Sequence, residues 1–319
     1  MTEKTSHINT PDIQTGIFAK LISAAITVIA IVTTPLSAHG QAIRFANEAS
    51  DTARITRILV EECKQKNPGN VERLARQFIG TPYAGGTLEH SPETLTINLD
   101  SLDCTTFVET VLALAYTAAE NRPSWRDFAY NLRRMRYRNG ETDGYASRLH
   151  YPSAWVVDNV SRGNLKELTG DLAGVRYNVK TLDYMSSHRD SYAALADSAN
   201  FVAAKRMESG FSNHRYPVLK TPQVKEKALS PVAKSGDVVM FTTSAKGLDV
   251  SHMGILFFDG KNFRFIHASQ KAGKVIEEPL TLSEYLKRHR SEGIRIVRLT
   301  PNSSDLGSAI ITKNGETLY

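Results

Sequence analysis

Residues 102–115 constrain this chain most, because they predict a buried helix with a cysteine in its first turn. Asp103 stands where an N-cap residue is favoured, directly before Cys104. Since a helix N-terminus attracts negative charge, we expect a lowered pKa for this thiol and a nucleophile at neutral pH. A cysteine in this place is also often a small apolar side chain. Apolar residues then recur at three- and four-residue steps, as on a buried helix face: Phe107, Val108, Val111, Leu112, Leu114 and Ala115.

Residues 1–42 predict a secretory signal peptide. Residues 21–34 are uncharged and rich in Leu, Ile, Ala, Val, Ser and Thr, and small residues at Gly40 and Ala42 allow cleavage. The run is shorter than the roughly 20 residues of a comfortable membrane span. Extending it back to Ile17 would permit an uncleaved anchor. We expect an exported protein with a single catalytic domain over residues 43–319.

The two cysteines of the chain, Cys63 and Cys104, leave two possibilities open. In an exported protein they could form one disulfide, which would disable Cys104 as a nucleophile. Cys63 lies in a separate helical pattern, where a buried free thiol fits equally well. We expect both thiols to be free.

The net charge of +6 suits anionic ligands but also describes many soluble proteins. Residues 133–138 form a dense basic patch, which a solvated helix face explains better than a nucleic-acid site. No Cys/His or Asp/Glu cluster has the spacing of metal ligands, so the sequence predicts neither a metal nor a cofactor.

The chain before and after the cysteine helix differs in pattern. Residues 54–66 and 71–79 predict amphipathic helices. The Gly- and Pro-rich loop 80–87 carries Tyr83, and residues 95–99 predict a short strand.

Residues 121–231 are irregular, with short helices expected at 125–135 and 192–207. Residues 147–159 mix aromatic, Arg, His and Asn side chains, which could line a pocket although aromatic clusters more often belong to a core.

Beyond Lys234 the pattern changes to strands, with a hairpin turn at Asp259-Gly260. Helices followed by antiparallel strands predict an α+β fold. His252 and His267 lie on the two strands of this hairpin, so their rings can meet on one face. A cysteine at a helix start with two such residues on an adjacent sheet is the thiol version of a nucleophile, a base and an orienting group.

Five blocks of sequence resemble the NlpC-type family of cell-wall cysteine peptidases, in the same order along the chain. This resemblance implies a papain-like fold whose nucleophile helix packs on an antiparallel sheet, with a core of about 71–120 and 234–299. It also implies that Cys104 is the nucleophile, His252 the base and His267 the orienting residue. The blocks are residues 82–86, 102–105, 236–241, 251–255 and 265–269.

The chain departs from that family in two places. The common Asp-Cys-Ser-Gly motif continues here with Thr105-Thr106, and a long insertion of about 121–231 separates the cysteine helix from the histidine strand. The insertion resembles the N-acetylmuramoyl-L-alanine amidase-like branch of Gram-negative bacteria. That branch is implied to cut the amide between the lactyl group of muramic acid and L-Ala in soluble, often anhydro, muropeptides, which together with the signal peptide implies the periplasm.

The resemblance implies that Cys104 attacks the lactyl carbonyl, with its backbone N–H and the Tyr83 hydroxyl holding the oxyanion. His252 would protonate the leaving amine and then activate water. The further candidates for substrate contact are Asp103, Ser251, Arg148, Trp155 and Asn159. The last three of these could equally well stabilise the insertion.

Other functions stay open at this point. A γ-D-glutamyl-diaminopimelate endopeptidase or an acyl transferase could use the same residues, and a muropeptide-binding protein without catalysis could keep the fold. Because no wall-binding repeat is recognisable, we expect diffusible muropeptides as partners. We expect a monomer with no nucleic acid and no membrane contact beyond the signal segment.

Overall fold

The computed structural model describes residues 42–301. The predicted signal peptide therefore lies, except for its last residue, outside the described part of the chain. Within residues 42–301, no helix is long and apolar enough to cross a membrane.

The helices and strands alternate irregularly along the chain. The helices are α1 (Glu48–Cys63), α2 (Val71–Arg76), α3 (Cys104–Ala119), α4 (Trp125–Arg136), α5 (Pro152–Ser161), α6 (Tyr184–Ser187), α7 (Ser198–Ser209), α8 (Glu226–Leu229) and α9 (Leu282–Arg288). The strands are β1 (Ile43–Phe45), β2 (Leu95–Ile97), β3 (Leu165–Glu167), β4 (Arg176–Lys180), β5 (His214–Lys220), β6 (Val238–Thr242), β7 (Val250–Phe258), β8 (Phe263–Ser269), β9 (Lys274–Glu277) and β10 (Gly293–Leu299).

An eight-stranded sheet organises the described residues, in the order β4-β5-β10-β6-β7-β8-β9, with β3 also paired to β10. Every pairing in this sheet is antiparallel. Strands β1 and β2 form a separate parallel pair. The predicted combination of helices with an antiparallel sheet is confirmed.

Helix α3 is buried on nearly all sides, which goes beyond the single buried face that the spacing predicts. It packs on β7 and β8 and also contacts α1, α2 and α4. Even its polar residues Thr106, Glu109 and Thr110 are buried. The sheet and the surrounding helices thus fix the position of the helix that begins at Cys104.

The predicted insertion is more regular than its sequence indicates. Strands β3, β4 and β5 all fall within residues 121–231 and extend the main sheet beyond β10. The expected helix at 192–207 begins only at Ser198, because Asp197 caps it through the N–H groups of Ala199 and Asn200. β4 is largely exposed and has a weak apolar pattern, so its own sequence does not predict a strand. Its pairing with β5 determines that it forms one.

The first predicted helix also has different bounds. α1 begins at Glu48, not at residue 54, because Asn47 accepts the Ser50 N–H and acts as its N-cap. α2 ends at Arg76, a few residues earlier than predicted. The predicted short strand at 95–99 is observed as β2.

Candidate active site

Cys104 is the first helical residue of α3, as the sequence predicts. The Asp103 carboxylate accepts the Thr106 N–H at 2.8 Å, and the Thr106 hydroxyl accepts the Asp103 N–H at 2.9 Å. This reciprocal pair is a capping box. The first N–H groups of a helix have no intrahelical acceptor, so the Cys104 N–H is available for an external anion.

The hairpin of β7 and β8 brings the two predicted histidines together. Nε2 of His252 lies 2.6 Å from Nδ1 of His267, with the rings nearly perpendicular. In the β6–β7 pairing, His252 faces Phe241 while Val250 faces Thr242, so Ser251 is an extra residue and forms a bulge. Bulges re-aim neighbouring side chains, and this one lies directly before His252.

Glu278, a residue that no sequence motif indicated, directly follows β9. Its Oε2 is 3.3 Å from Nε2 of His267, and the residue is buried. The register of the β8–β9 pair explains this contact, because His267 faces Ile276. Glu278 lies two residues beyond Ile276 on the same face of the sheet, so its side chain is diagonal to His267 and can reach it.

The Cys104 thiol is held next to His252 but is not activated by the helix. The N–H of Met253, the residue after His252, donates to its sulfur. Burial, and secondly the Asp103 carboxylate, raise the pKa of Cys104 to about 11. The expected lowering of this pKa is therefore wrong, because desolvation of the thiolate outweighs the helix N-terminus.

The histidines are uncharged at neutral pH. Burial, with a smaller effect of His289, lowers the pKa of His252 to about 4. Burial and the neighbouring His252 lower the pKa of His267 to about 3. The resting site thus holds a neutral thiol beside a neutral imidazole.

A cavity of about 590 Å³ contains this arrangement. Five residues predicted from the sequence line it: Tyr83, Cys104, Ser251, His252 and His267. Its wall also carries Lys271, from the turn between β8 and β9, and Arg288 and His289, at the end of α9, and all three are exposed. The exposed part of this wall is therefore cationic.

Tyr83 is fixed between the two sides of the site. Its N–H donates to the Gly273 carbonyl at 2.8 Å, and the Leu102 N–H donates to the Pro82 carbonyl at 2.9 Å. Burial, together with the nearby Cys104 and Asp103, raises the pKa of Tyr83. Its hydroxyl therefore stays protonated and can donate a hydrogen bond.

A smaller cavity of about 150 Å³ lies on the other side of the α3 N-terminus, with Asp103, Thr105 and Arg148 in its wall. Arg148 is only 7% exposed. It forms ion pairs with Glu89 at 2.8 Å and with Glu93 at 3.3 Å. Arg148 thus borders the site, although its charge is already paired.

Trp155 and Asn159 lie in the core on α5, and neither is among the residues that line the two cavities. The Asn159 amide donates to the carbonyls of Met135 and Trp155, each at 2.9 Å, and accepts from the Asn164 amide. These bonds join α5 to α4 and favour the structural interpretation of both residues.

Both cysteines are free thiols, as expected. Among residues 42–301, no three His, Cys, Asp or Glu side chains are arranged so that they could hold a metal ion.

Comparison with known proteins adds the family. The model of the AmiA-like family, described as N-acetylmuramoyl-L-alanine amidase-like, matches residues 73–294. A solved N-acetylmuramoyl-L-alanine amidase from Bacteroides uniformis is 37% identical, with a TM-score of 0.69 over 72% of this chain and 98% of that one. A proposed xylanase from Bacteroides fragilis is 38% identical, with a TM-score of 0.67 over 71% of this chain and 100% of that one.

A protein from Legionella pneumophila is 22% identical, with a TM-score of 0.63 over 80% of this chain and 96% of that one, and shares the fold. No curated protein matches the chain. The fold and its neighbours define an amidase-like hydrolase built on an antiparallel sheet. The chain belongs to the AmiA-like family of N-acetylmuramoyl-L-alanine amidase-like proteins.

Proposed function

We propose that this protein is a cysteine amidase that hydrolyses the amide between N-acetylmuramic acid, or its anhydro form, and L-Ala in soluble peptidoglycan fragments. The papain-like, NlpC-type interpretation of the fold is part of the proposal. The observation that carries the proposal is one cavity lined by Cys104, at the start of α3, and by His252 and His267. Nε2 of His252 and Nδ1 of His267 are 2.6 Å apart there.

The first step begins from neutral partners. Since Nε2 of His252 is occupied by His267, Nδ1 is the nitrogen left for the thiol. As the sulfur of Cys104 bonds to the lactyl carbonyl carbon, the S–H bond breaks and its proton moves to Nδ1 of His252. The Cys104 N–H and the Tyr83 hydroxyl stabilise the oxyanion that forms.

The second step uses the same proton. The imidazolium of His252 protonates the amine of L-Ala, the C–N bond breaks, and a muramoyl thioester remains on Cys104. His252 then takes a proton from water as the water oxygen attacks the thioester. The muramoyl carboxylate leaves and the thiol is restored.

The charges on the two sides of Cys104 suggest how the substrate lies. The leaving amine must be next to His252, so the peptide extends into the larger cavity toward Lys271 and Arg288. Stem peptides carry free carboxylates, which those cations complement. The sugar is assigned to the smaller cavity, where Arg148 is already paired and a neutral ring meets no competing charge.

A glycosidase, as the name of the Bacteroides fragilis neighbour suggests, would need two carboxylates flanking the bond. Among the described residues that line the larger cavity, only Glu278 carries a carboxylate, and it contacts His267. In the smaller cavity, Asp103 caps α3, while Glu89 and Glu109 form ion pairs with arginines. The side chains of this site therefore favour amide hydrolysis over glycoside hydrolysis.

We also propose export to the periplasm through residues 1–42 and action there as a monomer, without a cofactor. Muropeptides released from the wall would be the substrates at that location. Fractionation of cells expressing the tagged chain tests the location, and retention in the cytoplasm would contradict it.

The deciding experiment is mass spectrometry of a disaccharide-tetrapeptide and its anhydro form after incubation in H₂¹⁸O. We expect free tetrapeptide and a disaccharide with one ¹⁸O in its lactyl carboxylate. Cys104→Ala should abolish both products, whereas Cys63→Ala, a matched change of the half-buried thiol on α1, should keep them. Release of a dipeptide would indicate an endopeptidase, and the absence of cleavage would favour a binding protein.

A further inference from the structure

Glu278 is the last of four polar side chains, Cys104, His252, His267 and Glu278, that line the active-site cavity. It is 8% exposed. One carboxylate oxygen, Oε2, faces Nε2 of His267 at 3.3 Å. The other, Oε1, accepts the Leu280 N–H at 3.2 Å, which fixes the rotation of the carboxylate.

The protons of His252 and His267 can be arranged in one way when Glu278 is ionised. A carboxylate only accepts, so Nε2 of His267 must carry a proton. In a neutral ring Nδ1 of His267 is then an acceptor, and the 2.6 Å contact requires a proton on Nε2 of His252. Nδ1 of His252, the ring nitrogen that does not contact His267, is then unprotonated and has a free lone pair.

We propose that Glu278 is a positioning residue that sets the tautomers of His267 and His252, so that Nδ1 of His252 can accept the proton of Cys104. Its catalytic consequence depends on the proposed function, while the tautomers themselves do not. His267 transmits the effect, since it contacts Glu278 through Nε2 and His252 through Nδ1.

Other titratable groups face these side chains from neighbouring elements. Tyr285 on α9 and His289 directly after that helix line the same cavity, as do Tyr83 and Arg288. Burial, followed by Glu278 and Cys104, raises the pKa of Tyr285 to about 12. Tyr285 thus stays neutral over the pH range of the experiment, and the titrations to separate are those of His252 and His267.

Glu278→Gln tests the proposal with almost no change of shape. The Leu280 N–H needs an acceptor, so the oxygen of the introduced amide must face it. The NH₂ group then faces Nε2 of His267 and donates to it. This reverses both tautomers and places a proton on Nδ1 of His252, where the thiol proton should go.

The neighbouring Glu277→Gln is the matched control. Glu277 forms an ion pair with Arg76 at 2.6 Å, and it is not among the residues that line the active-site cavity. The two variants remove the same charge from adjacent positions, so only an effect specific to Glu278 supports the proposal.

Imidazole ¹⁵N–¹H correlation spectra of the resting enzyme measure the tautomers directly and need no substrate. We expect both His252 and His267 to be protonated at Nε2 in the wild type and in Glu277→Gln, and at Nδ1 in Glu278→Gln. A wild-type His252 protonated at Nδ1 overturns the proposal, even if Glu278→Gln fails to fold.

Kinetics on the muropeptide that the wild type cleaves give the second readout. We expect kcat of Glu278→Gln to fall by about 10²–10⁴-fold, the contribution of general acid–base catalysis, with little change in KM. Because the lost carboxylate favours imidazolium, the acid limb of kcat/KM should move to lower pH. An unchanged kcat with reversed tautomers would refute the catalytic role. If the wild type cleaves no muropeptide, the proposed function fails while the spectra still test the tautomers.

Discussion

The two sides of the α3 N-terminus differ in the charge state of their buried titratable groups. On the sheet side, burial raises the pKa of Cys104 to about 11 and lowers that of His252 to about 4, so both are neutral. On the insertion side, buried charges are closed into ion pairs, as between Arg136 and Glu109 at 2.6 Å. Neutral neighbours can exchange a proton during a reaction, whereas a closed ion pair fixes geometry.

The proposed catalytic residues and the ion pairs that stabilise the fold therefore lie on different sides of the α3 N-terminus. Arg136 also donates to the Thr96 carbonyl at 2.6 Å, so it joins α4 to α3 and β2. The ion pairs of the insertion therefore hold in place the helix whose first residue is Cys104. We expect changes on the insertion side to alter stability, and changes on the sheet side to alter rate.

The largest effect on stability should follow from Arg136→Met. It leaves Glu109 buried without its partner, and breaking a buried pair in this way costs about 3–5 kcal/mol. Urea unfolding measures the loss. At low temperature, where the variant remains folded, its kcat should stay near that of the wild type.

The double variant Arg136→Met with Glu109→Leu is the control for this prediction. Removing both charges avoids an unpaired buried carboxylate, so much of the lost free energy of unfolding should return. A single variant as stable as the wild type would show that the pair does not hold α3.

The second prediction concerns the protonation of the thiol. Because the pKa of Cys104 is raised to about 11, the thiolate fraction increases as pH rises and reaches half only near that value. Alkylation by iodoacetamide should therefore accelerate about tenfold per pH unit between pH 7 and 10. Peptide mapping follows Cys104 and Cys63 separately.

A different pH profile of alkylation would contradict the difference between the two sides of the α3 N-terminus. Fast alkylation of Cys104 at pH 6 that is lost in His252→Ala would reveal a thiolate–imidazolium pair at rest. The sheet side would then hold a closed ion pair, like the insertion side, and the neutral first step would be wrong.

The sequence predicted those parts of the site that depend on local pattern. The helix start at Cys104 follows from Asp103 and the apolar spacing after it, and the approach of His252 to His267 follows from a hairpin turn. The direction of the Cys104 pKa could not be predicted in this way. It depends on how completely the surrounding chain removes water from the sulfur.

Long-range pairing explains the rest of what the sequence did not reveal. Glu278 reaches His267 only through the β8–β9 register, and β5 acquires its place from β10, more than seventy residues further along. Trp155 and Asn159 looked equally suited to a pocket and to a core, and only the packing of α5 distinguishes these. Such information resides in the partner element, not in the segment itself.

The smallest effect should come from Arg288→Ala in the cationic part of the wall of the larger cavity. Arg288 is exposed, and exposed ion pairs contribute only about 0.2–1 kcal/mol, so KM for a stem peptide with free carboxylates should rise by about 1.4- to 5-fold. The rise should disappear with a substrate whose carboxylates are amidated, and shrink at high salt. Lys287→Ala, an exposed cation on the same helix that is not among the residues lining the cavity, is the control. An equal rise in KM for both substrates would show that the carboxylates of the stem peptide do not contact Arg288. The proposed orientation, with the peptide toward α9 and the sugar in the smaller cavity, would then be wrong.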